Sequence, residues 1–207
     1  MRLCRRPGLS ARRRAQKTIP ALVLLFVLVS CTPKKEEAAK NNTPLPDLGI
    51  SIVLPEGMEA IGPEDLQTLQ TRAAEYPPIQ PFRDYPCYQF IDPLSQTALT
   101  VSELNFENQA DASRDPVDLM EEYRKNLEIY YQVDSIAARE LIQGKFRMLI
   151  MNFLYEAEGE EFYLIKVLYY QFPRLYFMFD LYLDAQKTSQ ELVRDYEKMF
   201  QSVTAGT

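Results

Sequence analysis

Three polar residues interrupt the most apolar part of this chain at a constant spacing. Asn152, Lys166 and Asp180 are fourteen residues apart, each within a run of strand-forming aliphatic and aromatic residues. If each intervening loop has three residues, the three side chains lie opposite one another on adjacent strands, and Lys166 and Asp180 form an ion pair flanked by Asn152. Such a group is either a partly buried structural pair under a helix edge or the polar floor of a ligand or partner site, because pockets are mostly apolar with a few convergent polar groups.

Most other chemistry is excluded by composition. The chain has no histidine, which removes the usual general base and the most common transition-metal ligand. No Ser-x-x-Lys or Gly-x-Ser-x-Gly pattern and no glycine-rich phosphate loop is present. The acidic turn at Glu156, Glu158, Glu160 and Glu161 lacks the spacing of an EF-hand, and we interpret it as a solvated turn and not a calcium site. The sequence therefore predicts a protein that is not an enzyme and carries no metal or cofactor.

One cysteine has a recognisable chemical role. Leu28-Val29-Ser30-Cys31 ends an apolar run, residues 21–29, that follows a basic segment. A run of about ten residues is half of the roughly 20 that a bilayer span needs, so it is predicted to be the hydrophobic core of a secretory signal. The small residue followed by cysteine is typical of a bacterial lipoprotein signal, in which residues 1–30 are removed and Cys31 becomes a lipid-carrying N-terminus. Cys87 lies in a strand-like run and is predicted to be buried and inert.

The segment that starts at the cysteine, residues 31–47, is predicted to be a flexible tether because it is polar, contains three prolines and has no apolar periodicity. Removal of the signal takes away seven basic residues and no acidic ones, so the formal net charge changes from −6 to −13. Such acidity disfavours nucleic acid and anionic lipid surfaces, so acyl chains must provide the membrane anchor.

Two short features of the tether bear on location. Thr32, directly after the cysteine, resembles the sorting pattern for the outer membrane in many Gram-negative bacteria. Lys34-Lys35-Glu36-Glu37 resembles the surface-export signal of Bacteroidota lipoproteins. The outer membrane is the predicted location, and both its periplasmic face and the cell surface remain open.

Residues 48–207 are predicted to form a single domain of strands and helices. Apolar alternation and turn residues predict strands at 50–54, 87–91, 98–104, 147–157, 161–171 and 175–183. Helices are predicted to begin at Pro63, after Asp115 as N-cap, and at the capping box Thr188-Ser189-Gln190-Glu191.

The last three predicted strands determine the architecture. With three-residue loops, the odd-numbered residues of these strands share one face and the even-numbered residues share the other, and both faces are largely apolar. A sheet that is apolar on both faces must be covered on both, and helices are the available cover. The predicted fold class is α+β, a three-layer α/β/α sandwich around a mainly antiparallel sheet.

With this order of elements the chain resembles the PsbP/MOG-like family, which includes DcrB-type bacterial envelope lipoproteins. The matching features are residues 50–57 (ISIVLPEG), the strand pair before Asp115-Pro116, the long three-strand meander, and the closing helix with Phe200-Gln201-Ser202-Val203. The resemblance implies the α/β/α sandwich and a non-enzymatic binding or assembly role. It brings no functional residue to this chain, because members of the family dock on different partners.

The end of the second predicted helix carries two further candidates. Tyr130 and Tyr131 could form a patch that binds a sugar or a peptide, and Tyr85 with Tyr88 is the alternative pair. Asp134-Ser135-Ile136 resembles the O-glycosylation motif of Bacteroidota, which predicts a glycan on Ser135.

Two functions follow as alternatives. The leading one is a membrane-anchored cell-envelope lipoprotein whose non-catalytic domain binds a protein partner or helps to assemble a complex. The other is a surface lipoprotein that binds a small ligand or glycan through the face with Asn152, Lys166 and Asp180.

Overall fold

The computed structural model describes residues 42–157, 159–171 and 175–205. Its helices are α1 (Pro63–Glu75), α2 (Pro116–Tyr131) and α3 (Gln190–Gln201), with short 3-10 helices at Pro46–Leu48 and Gln109–Ser113. Its strands are β1 (Asn42–Leu45), β2 (Ile50–Val53), β3 (Glu59–Ala60), β4 (Phe82–Asp92), β5 (Thr97–Phe106), β6 (Ala137–Gln143), β7 (Phe146–Ala157), β8 (Glu160–Gln171), β9 (Leu175–Asp184) and β10 (Thr204–Ala205).

The main sheet has the strand order β3-β4-β5-β9-β8-β7-β6 across the described residues, and its neighbouring strands are antiparallel. Residues 164–170 of β8 and 176–181 of β9 are all buried. A strand that is buried at consecutive positions contacts a core on each face of its sheet. The two faces of this sheet are therefore both covered.

The cover differs between the two faces. On one face, Val193, Tyr196, Met199 and Phe200 of α3 pack against the sheet together with the small antiparallel sheet β1-β2-β10. On the other face, α2 contributes a buried stripe. The structure is thus the predicted α+β sandwich around an antiparallel sheet, with the small sheet added to one outer layer.

Helix α1 lies against β4 but buries none of its own residues. One contact with the strand is a hydrogen bond that Gln70 Nε2 donates to the carbonyl oxygen of Pro86 at 2.8 Å. An amphipathic helix gains most of its stability from packing an apolar face, so a helix without buried residues covers its strand loosely. Space therefore remains beneath α1.

The structure corrects the predicted boundary between tether and domain. Asn42–Leu45, which we assigned to the tether of residues 31–47, forms β1 and pairs with β2. Leu45 and Leu48 are buried in the core that α3 also contacts. This short strand was not predicted because Pro44 and Pro46 suggested a loop. Proline cannot donate a ladder hydrogen bond and is rare within strands. The folded part therefore includes residues 42–47.

Other elements also differ from the sequence prediction. The two-residue strands β3 and β10 were not predicted. Edge strand β6 was not predicted, because four of its seven residues are exposed and it lacks an alternating apolar pattern. The cap of α3 is Ser189, whose hydroxyl accepts from the amide of Leu192 at 3.1 Å, so the helix begins one residue later than the box starting at Thr188. The predicted cap of α2 is confirmed, with Asp115 accepting from Val117 at 2.8 Å.

Candidate functional site

Lys166 and Asp180 form a buried ion pair in the middle of the sheet. They lie opposite each other on β8 and β9, in the register that a three-residue loop between Gln171 and Leu175 requires. The distance from Lys166 Nζ to Asp180 Oδ2 is 2.6 Å, and the two side chains are 2% and 9% exposed. This is the length of a charge-assisted hydrogen bond. The two residues predicted to pair are therefore paired.

Asn152 does not belong to this group, contrary to our prediction. It is opposite Ile165, and the partner of Lys166 on β7 is Met151. The reason is the first loop of the meander: Ala157 pairs with Glu160, so two residues lie between them where we assumed three. A shift of one residue moves every side chain of a strand to the other face. Asn152 instead donates from Nδ2 to the hydroxyl of Tyr163 at 2.5 Å.

A pocket of about 490 Å³ opens onto the ion pair. Its roof is formed by α1 and the segment that follows it, its side by the end of α2, and its floor by β4, β5, β8 and β9. The volume falls within the range of about 300–1,000 Å³ that is common for small-molecule sites. The loose cover by α1 is what leaves this space above the charged residues.

Asp84 of β4 is a third charged residue in the pocket, and sequence reasoning missed it. Its Oδ1 atom and the Oδ1 atom of Asp180 are both buried and have no hydrogen-bond partner among the described residues. We had placed the start of this strand at Cys87. Pro86 is accommodated at a register shift between Pro86 and Tyr88, and the strand extends back to Phe82. The alternation of Phe82, Asp84 and Pro86 was the available signal.

The ionisation of these groups follows from their burial and from one another. Burial raises the pKa of Asp84 to about 6, with Lys166 opposing the rise and Asp180 adding to it. Burial lowers the pKa of Lys166, but Asp180, Tyr131 and Asp84 outweigh that effect and keep this pKa above its ordinary value. Burial also raises the pKa of Asp180, and Lys166 opposes this shift. At pH 7, above its pKa of about 6, Asp84 therefore adds a negative charge beside the Lys166–Asp180 ion pair.

The walls of the pocket are aromatic and hydroxylic. Tyr131 and Tyr182 lie close enough to act on each other's pKa and to feel the charge of Asp180, and burial raises the pKa of both hydroxyls. Tyr76 and Tyr130 also line the pocket and are 61% and 42% exposed. On the floor, Thr100 accepts a hydrogen bond from a glutamine side chain at 3.2 Å. The pocket thus combines buried carboxylates with tyrosine rings at its opening.

This arrangement is suited to binding. A lysine acts as a nucleophile when it loses its proton, and Lys166 is held in its protonated form by the surrounding carboxylates. The described residues contain no group of three histidine, cysteine, aspartate or glutamate side chains that could hold a metal ion. Cys87 is partly buried, and burial raises the pKa of its thiol, which disfavours the reactive thiolate. What the floor offers a ligand is hydrogen-bond acceptors and charge.

The remaining candidate residues lie apart from the pocket floor. Cys31 is outside the residues that the structure describes. Ser135 is exposed in the loop between α2 and β6, and the next residue, Ile136, is buried and anchors the loop. Glycosylation of Ser135 stays a prediction. Tyr130 and Tyr131 line the pocket, where their rings are in edge contact with centroids 5.1 Å apart. No helix within the described ranges is long and apolar enough to cross a membrane.

Comparison with known proteins gives similarity in structure only. No family model matches the chain, and no curated protein matches it. Among solved structures, it is similar to LpqN of Mycobacterium tuberculosis, which is involved in cell envelope biogenesis, with 11% identity, TM-score 0.49, and 76% of this chain and 83% of that chain covered. It is also similar to the cyanobacterial PsbP of Synechocystis sp. PCC 6803, with 11% identity, TM-score 0.46, and coverage of 77% and 88%.

A third similar structure comes from Bacteroides thetaiotaomicron VPI-5482, with 12% identity and TM-score 0.40; 80% of this chain and 47% of that chain are covered. A PsbP protein is thus among the similar structures, as the sequence resemblance leads one to expect. At these identities and TM-scores, the similarities bring no site residue and no partner to this chain. The description of the pocket rests on its own geometry.

We expect the substitution Lys166→Met to lower the free energy of unfolding by about 3–5 kcal/mol, because it leaves a buried carboxylate without its counter-charge. Urea denaturation of the purified protein near neutral pH measures the loss. The double variant Lys166→Met with Asp180→Leu should recover most of this loss, since the ion pair is gone and Asp84 is the one charged residue left of the three. Lys125→Met, at an exposed lysine, is the control. A single variant as stable as the wild type would contradict a buried ion pair.

The substitution Asp84→Asn should remove a pH dependence of stability. The pKa of Asp84 is about 6 in the folded protein and 3.8 ordinarily, so the folded state binds more protons between these values and the wild type loses stability as pH rises through them. The variant should match the wild type near pH 4 and exceed its stability near pH 7 by on the order of 2 kcal/mol.

Urea titrations of both proteins across this pH range test the expectation. Glu103→Gln, at an exposed carboxylate of β5, is the control and should leave the pH dependence unchanged. Parallel curves for the wild type and Asp84→Asn would show that Asp84 is ionised as easily as an exposed aspartate.

Proposed function

We propose that this chain is a lipid-anchored protein of the cell envelope with a non-catalytic binding domain, and that the pocket above Asp84, Lys166 and Asp180 is its binding site. The observation that carries the proposal is Asp180: its side chain is buried, and its Oδ1 atom has no partner among the described residues, at the floor of a cavity of about 490 Å³. A buried acceptor without a donor costs about 1–3 kcal/mol. A bound group that donates a hydrogen bond recovers this free energy.

The membrane anchor is proposed from the sequence before the domain. Leu28-Val29-Ser30-Cys31 supplies the processing site, and Cys31 carries the acyl chains. Two or more acyl chains hold a protein stably at a membrane, whereas one gives only marginal binding. The ten residues between Cys31 and Asn42 span at most about 35 Å, which keeps the pocket near the membrane. Thr32 favours the outer membrane, and protease treatment of intact cells distinguishes the cell surface from the periplasmic face.

The kind of occupant distinguishes the two functions left open by the sequence. The exposed rings of Tyr76 and Tyr130 at the opening favour a protein partner, because tyrosine is enriched in protein interfaces. The volume of the pocket favours the second candidate, a small ligand or glycan. In a complex with a protein, one side chain of the partner would enter the pocket while the surrounding rings contact the partner's surface.

We expect the intact mass of the native protein to correspond to a chain that begins at Cys31 and carries acyl chains. The variant Cys31→Ser should lose the acyl mass, retain residues 1–30 and change its behaviour in membrane fractionation. Cys87→Ser is the matched control and should stay acylated, since Cys87 lies in the folded domain. The same mass shows whether Ser135 carries a glycan. A native chain that retains its first thirty residues would overturn the proposed anchor.

Filling the pocket should abolish binding to its partner. Ala73 lines the pocket from α1, a helix without buried residues, so Ala73→Phe places a ring in the cavity without disturbing the core. Mild crosslinking in cells followed by purification should recover the partner about tenfold less well than from the wild type, a loss of about 1.4 kcal/mol. Ala74→Phe, the next residue on the same helix and exposed, is the control.

A protein that recurs with the wild type and with Ala74→Phe, but not with Ala73→Phe, supports docking through the pocket. A bound sugar or lipid with the same pattern supports the second candidate. Equal recovery from Ala73→Phe and Ala74→Phe would show that the binding site lies elsewhere.

A further inference from the structure

We infer that the occupant of this pocket presents a cationic nitrogen, a protonated amine or a guanidinium group, to the carboxylates of Asp84 and Asp180. The inference rests on the proposed function, since it requires the pocket to be a binding site. The cation has two sources: a lysine or arginine side chain of a protein partner, or a free small amine. In both, several N–H donors and one positive charge reach the floor.

The first argument for a cation is that the pocket floor has hydrogen-bond acceptors without donors. Lys166 donates to Oδ2 of Asp180, which leaves Oδ1 of Asp180 and Oδ1 of Asp84 without a donor within the described part of the chain. Both atoms are buried, and both residues line the cavity. Ammonium and guanidinium groups have three and five N–H donors and no acceptor. They therefore satisfy the two oxygens, whereas a carboxylate or phosphate would add further acceptors.

The second argument for a cation is the negative charge of the pocket floor. Asp180 neutralises Lys166, and Asp84 adds a further carboxylate close enough to act on the charges of both. A neutral hydroxyl could donate to one oxygen but would leave this charge uncompensated in a buried position, which is costly. A cation compensates it. The local charge therefore selects a positive group over a neutral one.

The residues at the opening of the pocket are compatible with a cationic occupant. Arg72 lines the opening but is exposed, and Arg83 is bound to Glu107 through Nε at 2.9 Å. Charges at exposed positions are screened by salt far more than buried ones. The faces of Tyr76 and Tyr130 at the opening can contact a cation favourably, since the π-system of tyrosine attracts positive charge.

Proton binding by Asp84 gives the inference a second readout. The groups that act on Asp84 are Lys166 and Asp180 of the sheet; Tyr123 and Tyr131 from α2 and Arg72 from α1 complete its surroundings. Its pKa of about 6 means that it gains a proton, and loses its charge, as pH falls below this value. The affinity for a cation should therefore fall by about tenfold for each pH unit well below that pKa.

The test is a titration of the purified full-length protein by calorimetry with four probes of similar size. Butylammonium and methylguanidinium are the cations, butyrate is the anion and butanol is the neutral analogue. We expect the cations to bind at least about tenfold more tightly than butyrate or butanol. Asp84→Asn should weaken the cations by about tenfold, and Glu103→Gln should change their affinity less than about twofold.

Spermidine and short peptides with one lysine or arginine distinguish the two sources. Tighter binding of the peptide than of spermidine assigns the cation to a partner side chain, and the reverse order assigns it to a free amine. If butyrate or butanol binds as tightly as the cations and Ala73→Phe abolishes that binding, the pocket is a binding site and the cation inference is wrong. Cation binding that neither Ala73→Phe nor Asp84→Asn weakens also overturns it.

Discussion

The central strands of this sheet are buried on both faces, and that constraint fixes the place of the other elements. Residues 164–170 of β8 and 176–181 of β9 contact cores above and below them, so each face needs a covering layer. Helix α3 and the small sheet cover one face, whereas α2 covers only part of the other. Helix α1 lies over the rest of that face without burying a residue. The pocket therefore lies over the part of this face that α1 covers without packing tightly on it.

Burying charged side chains under this pocket costs desolvation free energy. A buried ion pair is often no more stabilising than apolar residues of the same volume, so stability alone does not explain Lys166 and Asp180. Register is one explanation: a slip of one residue between β8 and β9 would put the two charges on opposite faces, which disfavours the wrong pairing. This explanation does not extend to Asp84, whose Oδ1 atom has no partner within the described residues. Buried ionisable groups with shifted pKa values in a cleft are typical of functional sites.

The site could be predicted from sequence only as far as loop lengths could be. The loop between β8 and β9 has the three residues we assumed, and Lys166 therefore meets Asp180. The loop between β7 and β8 has two, with Gly159 at a φ of 83°, and Asn152 turns to the other face. Glycine is common at the second position of two-residue hairpin turns, so Gly159 was a signal for the shorter loop. Asp84 was harder to place: residues 82, 84 and 86 alternate, but a register shift beside Pro86 separates them from the predicted part of the strand. The layers of the fold, in contrast, follow from apolar periodicity alone. An error of one residue in a loop length does not change them.

The charge of the whole chain and the charge of the pocket act over different distances. In the proposed mature form the net charge is −13, and a field of this sign draws cations toward the domain and repels anionic lipid headgroups. In the proposed anchored form, this repulsion keeps the acidic domain from lying directly on the headgroups, within the reach of its tether. Beyond the Debye length of about 8 Å at physiological salt this field is largely screened. Selection of one bound group over another must then come from the buried acceptors of Asp84 and Asp180, where water and salt screen least. For the proposed cationic occupant, attraction toward the domain and recognition in the pocket are separate properties, the first due to the surface charge and the second to the pocket floor.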